Sequence, residues 1–405
     1  MISATGFDPA TLARFADLLV GFGANVQPGQ IVSIGAEIGK EEIARALAAS
    51  AYRHGAKFAD VTYFDLHVKH ARLLHAREDT LEFVPSWYGE RILALGDQRC
   101  ARIGLSGPIA PGLLDDIDPE RAGRDQLPFL KESGKVVNDA TTNWTIGPAP
   151  SLPWARLVHP DLPDEEALTR LAGQLEVICR LDEADPVAAW TARADTLVAA
   201  AERVTAPRFD ALRFVGPGTD LTVGLLPTSR FMAARFETVD GIVHMPNIPS
   251  EEIFTSPDPL RTEGVVRSTK PLVVGGSIIR GLEVEFRAGR VVRIDADENA
   301  EVLRGYTAKD EGAARLGEVA LVDREGRIGQ SGTVFFDTLL DENAASHIAL
   351  GSAYAMCLDG DADRERINKS QIHVDFMIGS EDVTVSGITA DGAAVPVLAG
   401  GDWAL

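Results

Sequence analysis

Residues that commonly bind metal ions are concentrated in the C-terminal half of this chain. His373 and Asp375 are two positions apart, so in a strand both side chains would point to the same face. A second histidine, His347, lies in the mixed acidic and apolar segment 341–351. Imidazoles combined with carboxylates are a ligand set typical of Zn²⁺, Mn²⁺ or Co²⁺. These residue types therefore favour metal chemistry at a shared centre.

Glutamates extend this set of ligand types. The doublet Glu251-Glu252 follows two prolines and precedes an apolar Ile-Phe pair, which is unusual for a surface loop. Glu318 lies at the edge of an apolar run. Each residue alone is more simply explained by a salt bridge, and Tyr354 alone by packing. Their convergence in one half of the chain is what favours a site.

Other common catalytic motifs are missing from the sequence. It contains no P-loop pattern, no G-x-S-x-G elbow and no H-E-x-x-H pair. The glycine cluster at residues 21–23 follows a helical pattern, whereas a dinucleotide fingerprint follows a strand. Nucleotide binding and covalent nucleophilic catalysis therefore have little support.

The predicted secondary structure that would position these residues changes along the chain, from mixed helices and strands to mostly strands. Asp8 and Pro9 predict the start of a first helix, and the strand, helix and strand patterns across residues 31–63 predict a parallel βαβ unit. Further helices are predicted over 119–132, 164–181 and 185–204. Strand patterns dominate after Pro207, with a helical stretch predicted over 310–322.

The predicted architecture has two domains. Residues 1–190 form an α/β N-terminal domain with a parallel sheet. Residues 191–405 form a strand-rich α+β catalytic domain that binds the metal.

Composition excludes several classes of function. Lys and Arg number 39 and Asp and Glu 60, a formal net charge of −21, which argues against binding nucleic acid or an anionic membrane. Three cysteines are too few and too scattered for a disulfide framework or a thiolate zinc site. No apolar run reaches membrane-spanning length and the N-terminal residues lack a signal-peptide pattern, so a cytoplasmic location is expected.

Four blocks of sequence make the chain recognisable. Residues 246–255, 314–322, 335–351 and 373–380 resemble the aminopeptidase T / aminopeptidase S family of metallopeptidases, the thermophilic-type leucyl aminopeptidases. The resemblance implies an exopeptidase that uses two divalent metal ions (zinc, cobalt, manganese or magnesium). It places the metal ligands at Glu252, Glu318, His347, His373 and Asp375.

The same resemblance implies further properties. Glu251 becomes the candidate general base and Tyr354 an additional active-site contact. Substrates would be peptides with a free N-terminus, and the protein would be a homodimer whose active sites face an enclosed cavity. The segment 357–368 is short for the family, so we expect altered substrate access rather than lost metal.

Peptide hydrolysis explains why these residue types would be needed. Paired metal ions activate a water molecule and polarise the scissile carbonyl, and a nearby carboxylate can accept and return a proton. Two alternatives remain open from the sequence. One is another metal-dependent amide hydrolase acting on a small substrate, and the other is a non-catalytic ligand-binding protein.

Overall fold

The computed structural model describes residues 4–127 and 131–405, apart from the side chains of residues 119 and 120. The α-helices are α1 (Pro9–Asp17), α2 (Glu41–Arg53), α3 (Leu66–His75), α4 (Ser86–Asp97), α5 (Pro119–Arg124), α6 (Lys131–Asn138), α7 (Leu152–Val158), α8 (Asp164–Ile178), α9 (Pro186–Thr205), α10 (Ala300–Thr307), α11 (Arg327–Gln330) and α12 (Thr338–Glu342). No helix in these residues has the length and apolar character needed to cross a bilayer.

The strands are β1 (Ile31–Glu37), β2 (Phe58–Phe64), β3 (Ala101–Ser106), β4 (Trp144–Pro148), β5 (Ala211–Gly216), β6 (Thr219–Leu225), β7 (Met232–Ala233), β8 (Phe236–Glu237), β9 (Val243–His244), β10 (Glu252–Thr255), β11 (Pro257–Arg267), β12 (Leu272–Val274), β13 (Ser277–Ile279), β14 (Glu283–Arg287), β15 (Arg290–Asp295), β16 (Leu316–Val322), β17 (His347–Gly351), β18 (His373–Met377), β19 (Thr384–Ile388), β20 (Ala394–Ala399) and β21 (Asp402–Trp403).

The chain forms two compact units. The first comprises the residues up to Ala194 together with 234–250, and the second comprises 195–233 together with 251–405. The chain therefore returns to the first unit once after leaving it. A single domain boundary between residues 190 and 191 stays a prediction from the sequence.

The first unit is built around a parallel sheet of order β2-β1-β3-β4. Helix α1 begins as predicted, because the Asp8 carboxylate caps it by accepting hydrogen bonds from the backbone N–H groups of Ala10 (2.7 Å) and Thr11 (3.1 Å). After α1 the chain continues in a π-helix, Leu18–Gly23. This unit is the predicted α/β half with its parallel sheet.

One predicted helix of the first unit is interrupted. Helix α5 ends at Arg124 and α6 begins at Lys131, while residues 128–130 of the predicted helix 119–132 lie outside the described residues. Asp125 is buried, and its carboxylate lies 3.4 Å from Lys69 Nζ and 3.2 Å from Arg72 Nε. A buried carboxylate needs such partners, and Asp125 finds them as the first residue after α5.

The second unit contains an eight-stranded sheet of order β15-β14-β11-β6-β5-β19-β20-β21 and a five-stranded sheet of order β18-β17-β16-β10-β7. Both sheets are antiparallel. A parallel α/β half followed by a strand-rich half confirms the predicted fold class.

The prediction of a helix over residues 310–322 is wrong. A short 3₁₀ turn at Gly312–Ala314 is followed by strand β16, every residue of which is buried. A strand buried on both faces reads as a continuous apolar run, and periodicity alone cannot separate such a run from a buried helix. The consequence is that Glu318 lies on a strand.

His244, on β9, is a buried histidine of the first unit. Its ring packs against Trp144 and Phe236, with ring centroids 6.2 and 6.0 Å away. Burial lowers the pKa of His244 to about 4, although a long contact to the Ile242 carbonyl oxygen opposes that shift. Folded His244 is therefore neutral at a pH where an unfolded histidine is protonated.

We expect His244 to make the fold acid-sensitive. Between about pH 6.5 and 4 the unfolded chain binds a proton that folded His244 does not, so this residue lowers stability as the pH falls. Replacing His244 with Phe should remove about 2–3 kcal/mol of the loss in unfolding free energy between pH 7.5 and 4.5. Urea unfolding at both pH values measures it. His67→Gln, at an exposed histidine, is the control; equal pH dependence in wild type and His244→Phe would contradict the prediction.

Candidate metal centre

The predicted ligands lie on one face of the five-stranded sheet. Glu318 pairs with Ala349 across β16 and β17, and Ala349 pairs with Asp375 across β17 and β18. On the other side of β16, Phe254 of β10 pairs with Ala320. Paired residues share a face, as do residues two apart along a strand. The residues brought to this face are Glu252, Glu318, His347, His373 and Asp375.

A β-bulge at Gly317 places Glu318 on this face. Leu316 pairs with Leu350 but Glu318 pairs with Ala349, so two residues of β16 span one step of β17. In a regular strand, Glu318 would share a face with Leu316, two residues before it, whereas the bulge places these two side chains on opposite faces. Only glycine fits at the bulge, because a Cβ on Gly317 would lie 2.3 Å from the Gly351 carbonyl oxygen.

The ligand atoms form three overlapping groups, and within each group they lie within 4.8 Å of one another. His347 Nε2 is 3.1 Å from Glu252 Oε2 and 3.6 Å from Glu318 Oε1. His373 Nε2 is 3.6 Å from Glu318 Oε2 and 3.3 Å from Asp375 Oδ1. Glu318 thus lies between the two imidazoles, with one carboxylate oxygen directed at each.

Backbone carbonyls orient both imidazoles. His347 Nδ1 is 3.2 Å from the Ala345 oxygen, and His373 Nδ1 is 2.8 Å from the Ser352 oxygen. A carbonyl oxygen can only accept, so each Nδ1 carries the hydrogen and each Nε2 faces the carboxylates. This orientation, set by a partner at the other ring nitrogen, is usual for metal-binding histidines.

The centre is arranged to hold cations. Glu252 Oε2 is buried and accepts no hydrogen bond from the described residues, although it lies 3.1 Å from His347 Nε2. Two electron-rich atoms at this distance are stable only with positive charge at the site, either a proton on the ring or a metal ion. The donor set of carboxylates and imidazoles fits a divalent metal.

The pKa values of the cluster also show that its carboxylates stabilise positive charge. Burial opposes protonation of the imidazoles, yet the neighbouring carboxylates raise the pKa of His347 well above its usual value and that of His373 to about 10. Burial also raises the pKa of Glu318, while the two histidines partly offset this shift. Metal ions would replace the protons held by these groups.

Glu342 is a member of the cluster that sequence reasoning missed. It is the last residue of α12, and its carboxylate forms the third group with His347 and Asp375. Burial, together with the charges of Asp375 and Glu252, raises the pKa of Glu342 well above its usual value. The only signal in the sequence is its position in an acidic segment shortly before His347.

Glu251 lies outside all three groups. Its side chain is fully buried, and its Cβ is 3.3 Å from the position that a Cβ on Gly326 would occupy. Its backbone N–H donates a hydrogen bond to Asn343 Oδ1 at 2.6 Å. Glu252 belongs to the first ligand group whereas Glu251 packs beside Gly326, so the two neighbouring side chains have different surroundings.

Tyr354 lies beside the cluster, shortly after the end of a strand. The segment from His347 is strand β17, which ends at Gly351. The Tyr354 ring packs 5.2 Å from the His373 ring, measured between centroids. Burial and nearby carboxylates raise the pKa of Tyr354 well above its usual value, so the phenol keeps its proton.

Comparison with known proteins places this centre in a family. The family model for the thermophilic metalloproteases (M29) matches residues 9–403. The chain belongs to this family. It is 42% identical over 400 residues to aminopeptidase T of Thermus thermophilus, covering 97% of this chain and 98% of that protein.

Other family members show the same full-length similarity. The aminopeptidase PepS of Streptococcus thermophilus is 38% identical over 411 residues, covering 97% of this chain and 98% of that protein. The solved structure of wild-type AmpT from Thermus thermophilus superposes with a TM-score of 0.87 at 41% identity, covering 98% of this chain and 99% of that one. The resemblance predicted from the four sequence blocks is confirmed.

Proposed function

We propose that this chain is a metal-dependent aminopeptidase that releases the N-terminal residue of peptides. The observation that carries the proposal is the position of Glu318 between His347 and His373, with one carboxylate oxygen directed at each imidazole. A carboxylate so placed can bridge two cations, which is the arrangement that two-metal hydrolysis needs. The relatives named above are aminopeptidases, and their similarity supports the reaction class.

The proposed centre holds two divalent metal ions. Glu252, Glu318 and His347 would hold one, and Glu318, His373 and Asp375 the other, as the first two groups indicate. We add Glu342 to this set, because its carboxylate lies with His347 and Asp375 in the third group. His373 belongs to the cluster, so the short segment 357–368 is compatible with a complete set of ligands.

The protein side chains would divide the catalytic work. When bound, the metal ions would supply Lewis acidity toward a water molecule and the scissile carbonyl. The Tyr354 hydroxyl would donate a hydrogen bond to the oxyanion. Glu251 remains the proposed general base from the sequence. That role requires its carboxylate to reach the cluster, whereas the described contacts place it beside Gly326.

The proposed substrates are peptides with an unblocked N-terminus. The formal net charge of −21 favours the approach of a cationic α-amino group. Zinc, cobalt and manganese accept both imidazole and carboxylate ligands, whereas magnesium, the fourth candidate, prefers the carboxylate oxygens. A homodimeric state and a cytoplasmic location complete the proposal and rest on the family resemblance and the composition.

Metal removal and replacement test the proposal. We expect the purified protein to contain divalent metal, to lose activity on leucine p-nitroanilide after chelation, and to regain it when metal is restored. N-acetyl-leucine p-nitroanilide is the matched control and should not be hydrolysed, because acetylation removes the α-amino group. Equal hydrolysis of both compounds would instead indicate an amide hydrolase of different specificity. Metal-free, inactive and stably folded protein would indicate a non-catalytic binding protein.

A further inference from the structure

A cleft in the first unit is lined by charged and apolar groups that have no role in the proposed chemistry. It has a volume of about 370 Å³, and its lining includes Arg14, Asp17, Phe22, His54 and Val187. Ligand pockets usually measure about 300–1,000 Å³, so the cleft is suited to a small molecule.

The cleft lies at an uncommon backbone feature. The π-helix Leu18–Gly23 forms one side of it, and the Ala24 N–H donates to the Leu19 carbonyl oxygen at 2.8 Å. Single π-helical turns are rare and frequently occur at functional sites. Here the turn brings Gly21 against the imidazole of His54, where a Cβ on Gly21 would lie 2.6 Å from Nε2.

The polar groups of the cleft are held in place by neighbours. The Asp17 carboxylate accepts hydrogen bonds from Ser50 Oγ at 2.5 Å and from Arg53 at 2.7 Å. Arg14 donates to the Glu183 carbonyl oxygen at 2.6 Å. Arg14 and Asp17 are three residues apart in α1, so a guanidinium and a carboxylate are fixed on the same side of one helix.

The apolar groups complete the lining. Phe22 comes from the π-helix and Val187 from the start of α9, where Val187 is 44% exposed. A ligand that suits this cleft carries a negative group for Arg14, a positive group for Asp17 and an apolar body for Phe22 and Val187. A hydrophobic α-amino acid has these three features in one small molecule.

We propose that this cleft binds a free hydrophobic amino acid such as leucine. The charges and the apolar groups of the lining define this class of ligand. That the bound amino acid is also a product of the enzyme rests on the proposed function. An amino acid bound here would report product concentration at a place separate from the metal ligands.

Leucine titration followed by histidine NMR tests the proposal on the metal-loaded protein. We expect the His54 imidazole signal, assigned by its absence in His54→Asn, to shift as leucine saturates the cleft. Leucinol lacks the carboxylate and has no amide bond to hydrolyse, and N-acetyl-leucine lacks the ammonium group, so each should bind about tenfold more weakly than leucine. An unmoved His54 signal at saturating millimolar leucine, or equal shifts with all three compounds, would overturn the proposal.

Paired glycine variants locate the binding. Gly21→Ala places a methyl group against His54 and should abolish the shift. Gly173→Ala, in α8 with no atom within 4 Å of the added Cβ, should leave it unchanged. Arg14→Gln should weaken leucine binding about tenfold without changing the packing of Gly21. This variant therefore tests the binding site even if Gly21→Ala misfolds. Unchanged affinity in Arg14→Gln would refute the site.

Leucine p-nitroanilide turnover, measured on the same preparations, separates this inference from the proposed function. Arg14→Gln should keep wild-type turnover at low substrate, because Arg14 lies outside the metal cluster. A protein that binds leucine at the cleft but lacks peptidase activity would retain this inference and lose the proposed function. An active peptidase whose His54 signal does not respond to leucine would retain the proposed function and lose this inference.

Discussion

Glu318→Gln should abolish metal binding and activity together while leaving the fold intact. Glu318 directs one oxygen toward His347 and the other toward His373, so it belongs to two of the three ligand groups. A glutamine keeps the shape but offers a single acceptor and an NH₂ donor in place of the second oxygen. We expect turnover to fall about a thousandfold or more, equivalent to at least about 4 kcal/mol in the activation barrier.

Metal analysis of the purified variant and the leucine p-nitroanilide assay measure both effects. Thermal unfolding of the metal-free proteins should show no loss of stability, because burial raises the pKa of Glu318 and its ionised form therefore costs folding free energy that a neutral glutamine does not. Glu381→Gln, at an exposed glutamate of the second unit, is the matched control and should behave as wild type. If Glu318→Gln retained full metal content, the bridging assignment would fail.

Glu342→Gln should remove metal more strongly than Glu251→Gln. The Glu342 carboxylate lies with His347 and Asp375, whereas Glu251 lies against Gly326 and outside the three groups. Loss of a ligand should weaken metal affinity about tenfold to a hundredfold at least, since that is the effect of losing even an outer partner. Turnover at limiting metal should fall in proportion.

Metal titrations of the two variants discriminate between the roles of the two glutamates. For Glu251→Gln we expect full metal content with reduced turnover, as a general base would give. Loss of metal from Glu251→Gln would reverse the assignment within the doublet. Wild-type turnover in that variant would show that its buried carboxylate is structural. Full metal content and activity in Glu342→Gln would remove Glu342 from the centre.

The sequence predicted the parts of the structure that have strong local signals. Asp8 and Pro9 marked the start of α1, and the βαβ pattern predicted a parallel sheet, as the structure shows. The two-residue spacing of His373 and Asp375 predicted a shared face, and β18 provides it. Local patterns report local geometry reliably when caps and alternation agree.

The parts that could not be predicted depend on contacts between distant segments. Residues 316–322 form an apolar run whose burial between β10 and β17 makes it a strand, and no periodicity in the run itself shows this. Glu342 enters the cluster because α12 ends beside β17, a tertiary relation that its spacing does not encode. The bulge at Gly317 likewise exists only through its close approach to Gly351.

That bulge bears on how the gene can change in length. A one-residue deletion at Gly317 would restore regular pairing and leave Glu318 opposite Ala349, because Leu316 and Glu318 already lie on opposite faces. A one-residue insertion between His347 and Ala349 of β17, or between His373 and Asp375 of β18, would instead place the histidine on the face opposite that residue. Among functional descendants of this chain, we therefore expect changes in length at the bulge and in the connections between these strands, such as 357–368.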